Sequence, residues 1–275
     1  MARRLHRPFI HGIALVALVA SACGGSASET PGPSDGPVPS ASAAVSEEPG
    51  ATGPGETSST DGAAAFGSAT TALDALDSYR YEVEVQESLV TGGTTSTSHT
   101  QLAGVVHNRP EESSLLEFRQ LDGQGVLTAG TSVLVIGDRA WLAQVTSADQ
   151  ALAWQVITAA QVEVFIQGFR TFRPAQAFGT NFGSYAVGFQ ESGTETKNGV
   201  ECRHFEGIDA LGELIAPVAG VTGTWTADAW IAVDGGYLVH SELHGEGTSS
   251  GDAATYDVVV DISDIDSAEA LEAPG

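Results

Sequence analysis

Residues 224–244 read TWTADAWIAVDGGYLVHSELH, two strand-like runs on either side of the turn Asp234-Gly235-Gly236. A second hairpin is indicated at Asn198-Gly199, where both residues accept positive φ and join 193–197 to 200–205. Successive strands joined by tight turns predict an antiparallel meander, and therefore a curved sheet or barrel. The predicted strands are 79–86, 95–106, 114–121, 126–129, 133–136, 139–144, 193–197, 200–205, 224–233, 237–244 and 255–262.

Helical periodicity interrupts the strand pattern at three places. Residues 61–77 carry an apolar stripe at helical spacing, and 209–215 form a shorter candidate. A capping box at Thr158 and Gln161 begins a third helix, which Pro174 ends. We therefore expect one β-rich domain with a helix before the sheet and two helical insertions within it.

The N-terminus has the features of an export signal. Arginines precede an apolar run from Phe9 to Ala20, which at about twelve residues is too short for a membrane span. The segment Val19–Gly24 resembles a bacterial lipobox with Cys23 as the lipid-bearing residue; a plain secretory signal with a chance cysteine is the alternative. The prediction is a signal peptide over 1–22 and a diacylglyceryl Cys23 that anchors the exported protein to the outer face of the cytoplasmic membrane.

Composition divides the rest of the chain. Residues 23–60 continue from the anchor cysteine into a Pro/Gly/Ser-rich tether that cannot bury enough apolar surface to fold. The β-rich domain is expected over 61–265, followed by an acidic C-terminal tail over 266–275. The formal net charge of −24 excludes a protein that holds nucleic acid through its phosphates.

Three motifs suggest chemistry, and each has a simpler structural interpretation. Gly247–Gly251 fits G-x-S-x-G around Ser249, but strands on both sides favour a hairpin loop. His240 and His244 lie in a predicted strand, where residues four apart are about 13 Å from one another and cannot share an ion. Cys202 is expected to be a buried thiol. The sequence therefore assigns no catalytic residue, no metal ligand and no cofactor.

An aromatic and aliphatic set around the helical insertions remains as a candidate site. One interpretation is ordinary packing of helices on a sheet; the other is a cover over an apolar cavity in the curved sheet. The sequence leaves both open. The candidate cavity residues are Trp154, Phe165, Ile166, Phe169, Phe172, Leu211, Leu214 and Ile215.

Four stretches resemble the LppX/LprG group of actinobacterial lipoproteins, which share the LolA-like fold. They are LDALDSYRYEVEV (73–85), VLVIGDRAWL (133–142), NGVECRHF (198–205) and DAWIAVDGGYLVHSEL (228–243). The resemblance implies an α+β protein in which an antiparallel, strongly curved sheet forms an incomplete β-barrel with helices on its concave side. It also implies a hydrophobic cavity for the acyl chains of lipids or glycolipids.

These observations lead to two hypotheses from different classes. The first is a membrane-anchored carrier or chaperone of lipids or glycolipids that has no catalytic activity. The second is a non-catalytic cell-envelope sensor or protein-interaction module with a filled core. Lipid uptake separates the two.

Overall fold

A computed structural model describes residues 59–147, 152–158 and 186–275. These residues form one antiparallel sheet of eleven strands. From edge to edge the strand order is β6-β5-β4-β3-β2-β1-β11-β10-β9-β8-β7. The strands are β1 Ser78–Thr91, β2 Thr94–His107, β3 Ser113–Leu121, β4 Leu127–Ile136, β5 Arg139–Val145, β6 Gln155–Val156, β7 Phe189–Lys197, β8 Val200–Gly207, β9 Thr222–Ala232, β10 Leu238–Ser249 and β11 Asp252–Ser263.

The first and last strands meet at the centre of the sheet. β1 pairs with β11 from Arg80↔Ser263 to Val90↔Ala253, and with β2 on its other side. All other neighbours are consecutive in the chain, as expected of a meander. The edge strands β6 and β7 are not paired with one another among the described residues, so the curved sheet is an incomplete barrel.

The helices lie on the face that we call the inner face, defined by the alternating buried residues of β1 (Tyr79, Tyr81, Val83 and Val85). Helix α1, Ser59–Ser68, places Phe66 against Phe189 and Phe205 with ring centroids 4.3 and 5.9 Å away. Helix α2, Ala210–Ala219, packs on β9. Two short 3-10 helices complete the described elements, at Thr71–Ala75 and Ala186–Gly188. The predicted α+β fold, with an open antiparallel sheet and helices on its concave side, is confirmed.

The hairpin turns form at the residues where they were predicted. Asn198 and Gly199 have φ of 51° and 80°, the left-handed values that a two-residue hairpin requires. The inner face also depends on one close approach: a Cβ at Gly104 would lie 2.5 Å from the ring of Tyr81. Only glycine on β2 leaves room for that ring.

Two local predictions were wrong, and one strand was not predicted. The runs 126–129 and 133–136 are one strand, because Gly130 pairs with Val145 and makes room for that neighbour instead of making a turn. The predicted helix 61–77 divides after Ser68, where the Thr71 hydroxyl donates to the Ser68 carbonyl, 2.8 Å away, and a 3-10 turn follows. The short edge strand β6 had no periodic signal. The helix predicted from Thr158 lies almost wholly outside the described residues.

In the part of the chain that the structure describes, no helix has the length and apolar character needed to span a bilayer.

Candidate functional site

A groove of about 810 Å³ with an apolar floor lies on the outer face of the sheet, opposite the helices, over β3–β6. The register creates it, because Leu115, Leu134, Trp141 and Val156 are cross-strand partners in one row over four adjacent strands. Such neighbours on one face pack against each other and form a continuous apolar surface. The groove is lined by Leu115, Leu134, Trp141, Leu152, Ala153, Trp154, Val156, Leu271, Glu272, Pro274 and Gly275.

The C-terminal segment forms the second wall of the groove. The backbone N–H of Asp266 donates to the Ser78 carbonyl at 2.8 Å, and the backbone N–H of Ala268 donates to the Ser78 hydroxyl at 3.2 Å. Further along, a ring nitrogen of His107 lies 2.9 Å from the Glu269 carbonyl. Every third residue is half-buried, namely Ile265, Ala268, Leu271 and Pro274. The segment predicted as an acidic tail therefore lies along the sheet.

Two tryptophans distinguish this groove from an ordinary surface depression. Trp141 is only 6% exposed although it points away from the helices, and Trp154 is half-buried beside it. The Arg139 guanidinium lies 5.3 Å from the centre of the Trp141 ring, within the range of a cation–π contact. The groove thus combines an aromatic floor with a cation at its side.

The predicted cavity residues fall in separate places. Trp154 lines the outer groove, whereas Leu211 and Ile215 are buried on the inner face against Ala227, and Leu214 is half-buried on the same helix. The structure therefore does not join Trp154 to α2. Four further candidates, Phe165, Ile166, Phe169 and Phe172, lie outside the described residues, as does the anchor candidate Cys23.

Sequence reasoning missed Leu115, Leu134 and Trp141. A signal was present in the unbroken apolar runs LL (115–116), VLVI (133–136) and AWLA (140–143). A strand that is buried on both faces is continuously apolar instead of alternating. Reading those runs as strands covered on both faces would have indicated a second apolar layer.

The reactive motifs have structural roles. Ser249 pairs with Asp252 in the β10–β11 hairpin, and Ser250-Gly251 make its turn with φ of 54° and 92°, so no strand-to-helix elbow presents a nucleophile. Cys202 is fully buried, and burial raises the pKa of its thiol. A buried thiol with a raised pKa carries little thiolate at neutral pH.

A second concentration of polar side chains, which sequence reasoning also missed, occupies the outer face of β8–β11 around Trp230. The Lys197 ammonium lies 4.0 Å from the centre of the Trp230 ring. His240 bridges two carboxylates, with Nδ1 2.6 Å from Asp261 and Nε2 2.7 Å from Glu242. The hydrogen bond with His240 is the main cause of a lowered pKa at Glu242. His244 pairs with Asp257 instead, so the two histidines do not share a partner.

Among known proteins, the matches to this chain come from solved structures. No family model matches the chain, and no curated protein matches it. LprF from Mycobacterium bovis superposes with a TM-score of 0.44 at 14% identity, over 78% of this chain and 97% of that one. The Mycobacterium tuberculosis lipoprotein LppX gives 0.38 at 18% identity, over 78% and 100%. A LolA superfamily protein from Nitrosomonas europaea gives 0.22 at 12% identity, over 76% and 94%.

Proposed function

We propose that this protein is an exported, lipid-anchored carrier that holds an acyl chain of a lipid or glycolipid and catalyses no reaction. The observation that carries the proposal is the groove between the outer face of β3–β6 and the C-terminal segment. Its volume of about 810 Å³ is within the range of small-molecule binding sites, and its floor is aliphatic and aromatic.

The free energy of binding comes from the apolar surface that the acyl chain and the groove remove from water. Each methylene removed from water contributes about 0.8 kcal/mol, so eight buried methylenes contribute roughly 6 kcal/mol before the cost of association. Trp141 and Trp154 supply broad apolar contact, and Leu271 with Pro274 covers the side that the sheet leaves open. A chain held between two walls loses more water contact than one lying on a flat sheet.

The predicted N-terminal segments would place such a carrier at a membrane. A diacylglyceryl group on Cys23 supplies the two chains that stable anchoring requires. The 23–60 tether then averages roughly 35 Å end to end as a random coil, which lets the domain reach lipid near the membrane surface. The absence of chemistry in the proposal is supported by the hairpin position of Ser249 and the burial of Cys202.

The test uses tryptophan as a contact reporter. The chain from Gly24 onward, which lacks the signal peptide and the anchor cysteine, is titrated with phosphatidylcholine bearing a brominated acyl chain, which quenches an indole only on contact. One variant, Trp225→Phe with Trp230→Phe, retains the two groove tryptophans. The matched variant, Trp141→Phe with Trp154→Phe, retains the other two. We expect saturable quenching in the first variant and none in the second.

The other quenching results would place the lipid on the inner face or exclude lipid binding. Quenching confined to the second variant would refute the groove and favour the predicted inner site, because Trp225 lies on the inner face against Gly212 of α2. In that case Phe165→Asp or Phe169→Asp should abolish binding in a folded protein. No quenching in either variant, with no lipid in organic extracts of the native protein, would refute lipid binding.

The second hypothesis, a sensor or interaction module, has one observation in its favour. Among the described residues, the inner face over β1, β8, β9 and β11 carries a continuous cluster of buried side chains, joined by Phe66 and Leu73 from the N-terminal helical segment. Close packing of this kind is what a filled core requires. The absence of lipid uptake, together with a specific envelope protein captured by the full-length chain, would make this function the better one.

A further inference from the structure

Three side chains on the outer face of β8 and β9 converge on one point. His204 and Glu206 are two residues apart on β8 and so project from the same face. Asp228 is the direct cross-strand partner of Glu206 on β9. One ligand atom from each of the three lies within 4.8 Å of the other two, and His204 Nε2 is 2.8 Å from an Asp228 carboxylate oxygen.

The imidazole of His204 is held in a fixed orientation. Its ring stacks on Trp230 with centroids 4.6 Å apart and an interplanar angle of 3°. Its Nδ1 lies 3.0 Å from the Ser192 hydroxyl and 3.5 Å from Glu195. When Nδ1 carries the proton and donates to either oxygen, Nε2 presents its lone pair toward Asp228 and Glu206. This is the arrangement in which an outer partner orients a metal-binding histidine.

The charge at this point favours a cation. Glu206 is exposed and forms no ion pair within the described ranges, and the ion pair that the structure gives Asp228 is with His204. The two histidines of β10, which project from the same face, differ from His204. Both ring nitrogens of His240 are occupied by carboxylates, and His244 faces Asp257 without a third ligand. The protein as a whole carries a formal charge of −24.

We infer that His204, Glu206 and Asp228 bind a divalent transition-metal ion, with Zn²⁺ as the best fit. One imidazole and two carboxylates suit a borderline ion and leave a fourth tetrahedral position for water, whereas Mg²⁺ and Ca²⁺ take oxygen ligands. Zinc–ligand bonds of about 2.0–2.2 Å bring neighbouring ligand atoms to roughly 3.3 Å apart. On binding, His204 Nε2 and the Asp228 oxygen, now 2.8 Å apart, separate by about 0.5 Å, and the exposed Glu206 side chain rotates to bring its carboxylate to the ion.

Calorimetric titration of the tag-free, full-length protein with ZnCl₂ tests the site. We expect one Zn²⁺ per chain, no measurable binding of Mg²⁺, and affinity at least tenfold weaker in His204→Ala. The matched control is His244→Ala, a histidine on the same face that pairs with one carboxylate; its affinity should equal that of the wild type. A second readout is Co²⁺ quenching of Trp230, because that ring stacks on the ligand.

Glu206→Gln keeps the test decisive if His204→Ala perturbs folding, because Glu206 is exposed and its amide replacement preserves shape. It should also weaken Zn²⁺ at least tenfold in a protein with an unchanged melting temperature. Absence of Zn²⁺ binding by the wild type, equal affinity in Glu206→Gln, or an equal loss in His244→Ala would each overturn the assignment. The site lies on β8 and β9, away from the β3–β6 groove, so either proposal can fail without the other.

Discussion

Replacing Phe66 by alanine tests how the helical segment before the sheet is held. Phe66 is completely buried and is the largest apolar side chain of α1. Its ring stacks on Phe189 at 4.3 Å and meets Phe205 edge-on at 5.9 Å. The rest of this ten-residue helix is small or polar, so α1 has little stability of its own and depends on that contact.

The expected loss is large relative to the stability of a domain. Truncation of a buried phenylalanine to alanine costs about 3–5 kcal/mol, and natural domains have about 5–15 kcal/mol in total. Phe66 is completely buried and contacts two aromatic rings, so we expect a loss of about 4 kcal/mol, in the middle of that range. The measurement is urea unfolding of the full-length protein followed by tryptophan fluorescence, with the loss read from the midpoint at constant slope.

The control is Val126→Ala, in a loop where the side chain is 59% exposed; it should change stability by less than about 0.5 kcal/mol. A second result is also consistent with the reasoning. If α1 detaches while the sheet stays folded, the free energy of unfolding of the domain falls by less, and limited proteolysis cuts within 59–68. A loss below about 1.5 kcal/mol with α1 still protected from protease would refute the reasoning, because the ring contacts would then not hold the helix.

Three further outcomes follow from the described contacts. Tyr256→Phe should leave the free energy of unfolding unchanged or raise it by up to about 1 kcal/mol, because the Tyr256 hydroxyl is buried and the structure shows no hydrogen-bond partner for it. A clear loss of stability in thermal unfolding would contradict this expectation. Glu242→Gln should lower stability at pH 7, and by less than about 1 kcal/mol because Glu242 is half exposed. The folded-state pKa of Glu242 is depressed, so the stability difference between the wild type and Glu242→Gln should persist above pH 4.5, the ordinary value, and vanish as the pH falls through the lowered pKa. A constant difference in urea unfolding from pH 7 to pH 2 would contradict the hydrogen bond with His240 as its cause. Deletion of 267–275 should shift the emission of Trp141 and Trp154 to longer wavelength, since Leu271 and Pro274 cover them; unchanged emission in a Trp225→Phe, Trp230→Phe background would show that the segment does not close the groove.

Strand positions and turns could be predicted because both are local. Alternation over 79–86 identified β1, and Asn198-Gly199 identified the β7–β8 turn, because period and turn chemistry are determined by neighbouring residues. The errors came where a residue served a non-local purpose. The strands 126–129 and 133–136 were predicted as separate, whereas Gly130 between them makes room for Val145, a residue fifteen positions later in the chain, and the strand continues.

The candidate site was less predictable because it depends on which strands become neighbours. Trp154 was recognised as part of an apolar set, but its partners Leu115, Leu134 and Trp141 lie on strands whose row is defined only by register. The C-terminal segment appeared from composition to be a solvated acidic tail. Its contacts with Ser78 and His107 arise from β1 and β2, nearly two hundred positions earlier for Ser78.

The sequence by itself determined the antiparallel meander and the hairpin turns, since each of these depends on residues close together in the chain. The lipid anchor at Cys23 and the tether over 23–60 stay predictions. Only the tertiary structure decided that β1 and β11 meet at the centre of the sheet, that the groove lies on the face opposite the helices, and that His204 meets Asp228. The physical reason is that the alternation of side chains along a strand fixes which residues share a face of the sheet. It does not fix which other strands lie beside that strand. Neighbours are selected by the register and burial of the whole sheet together.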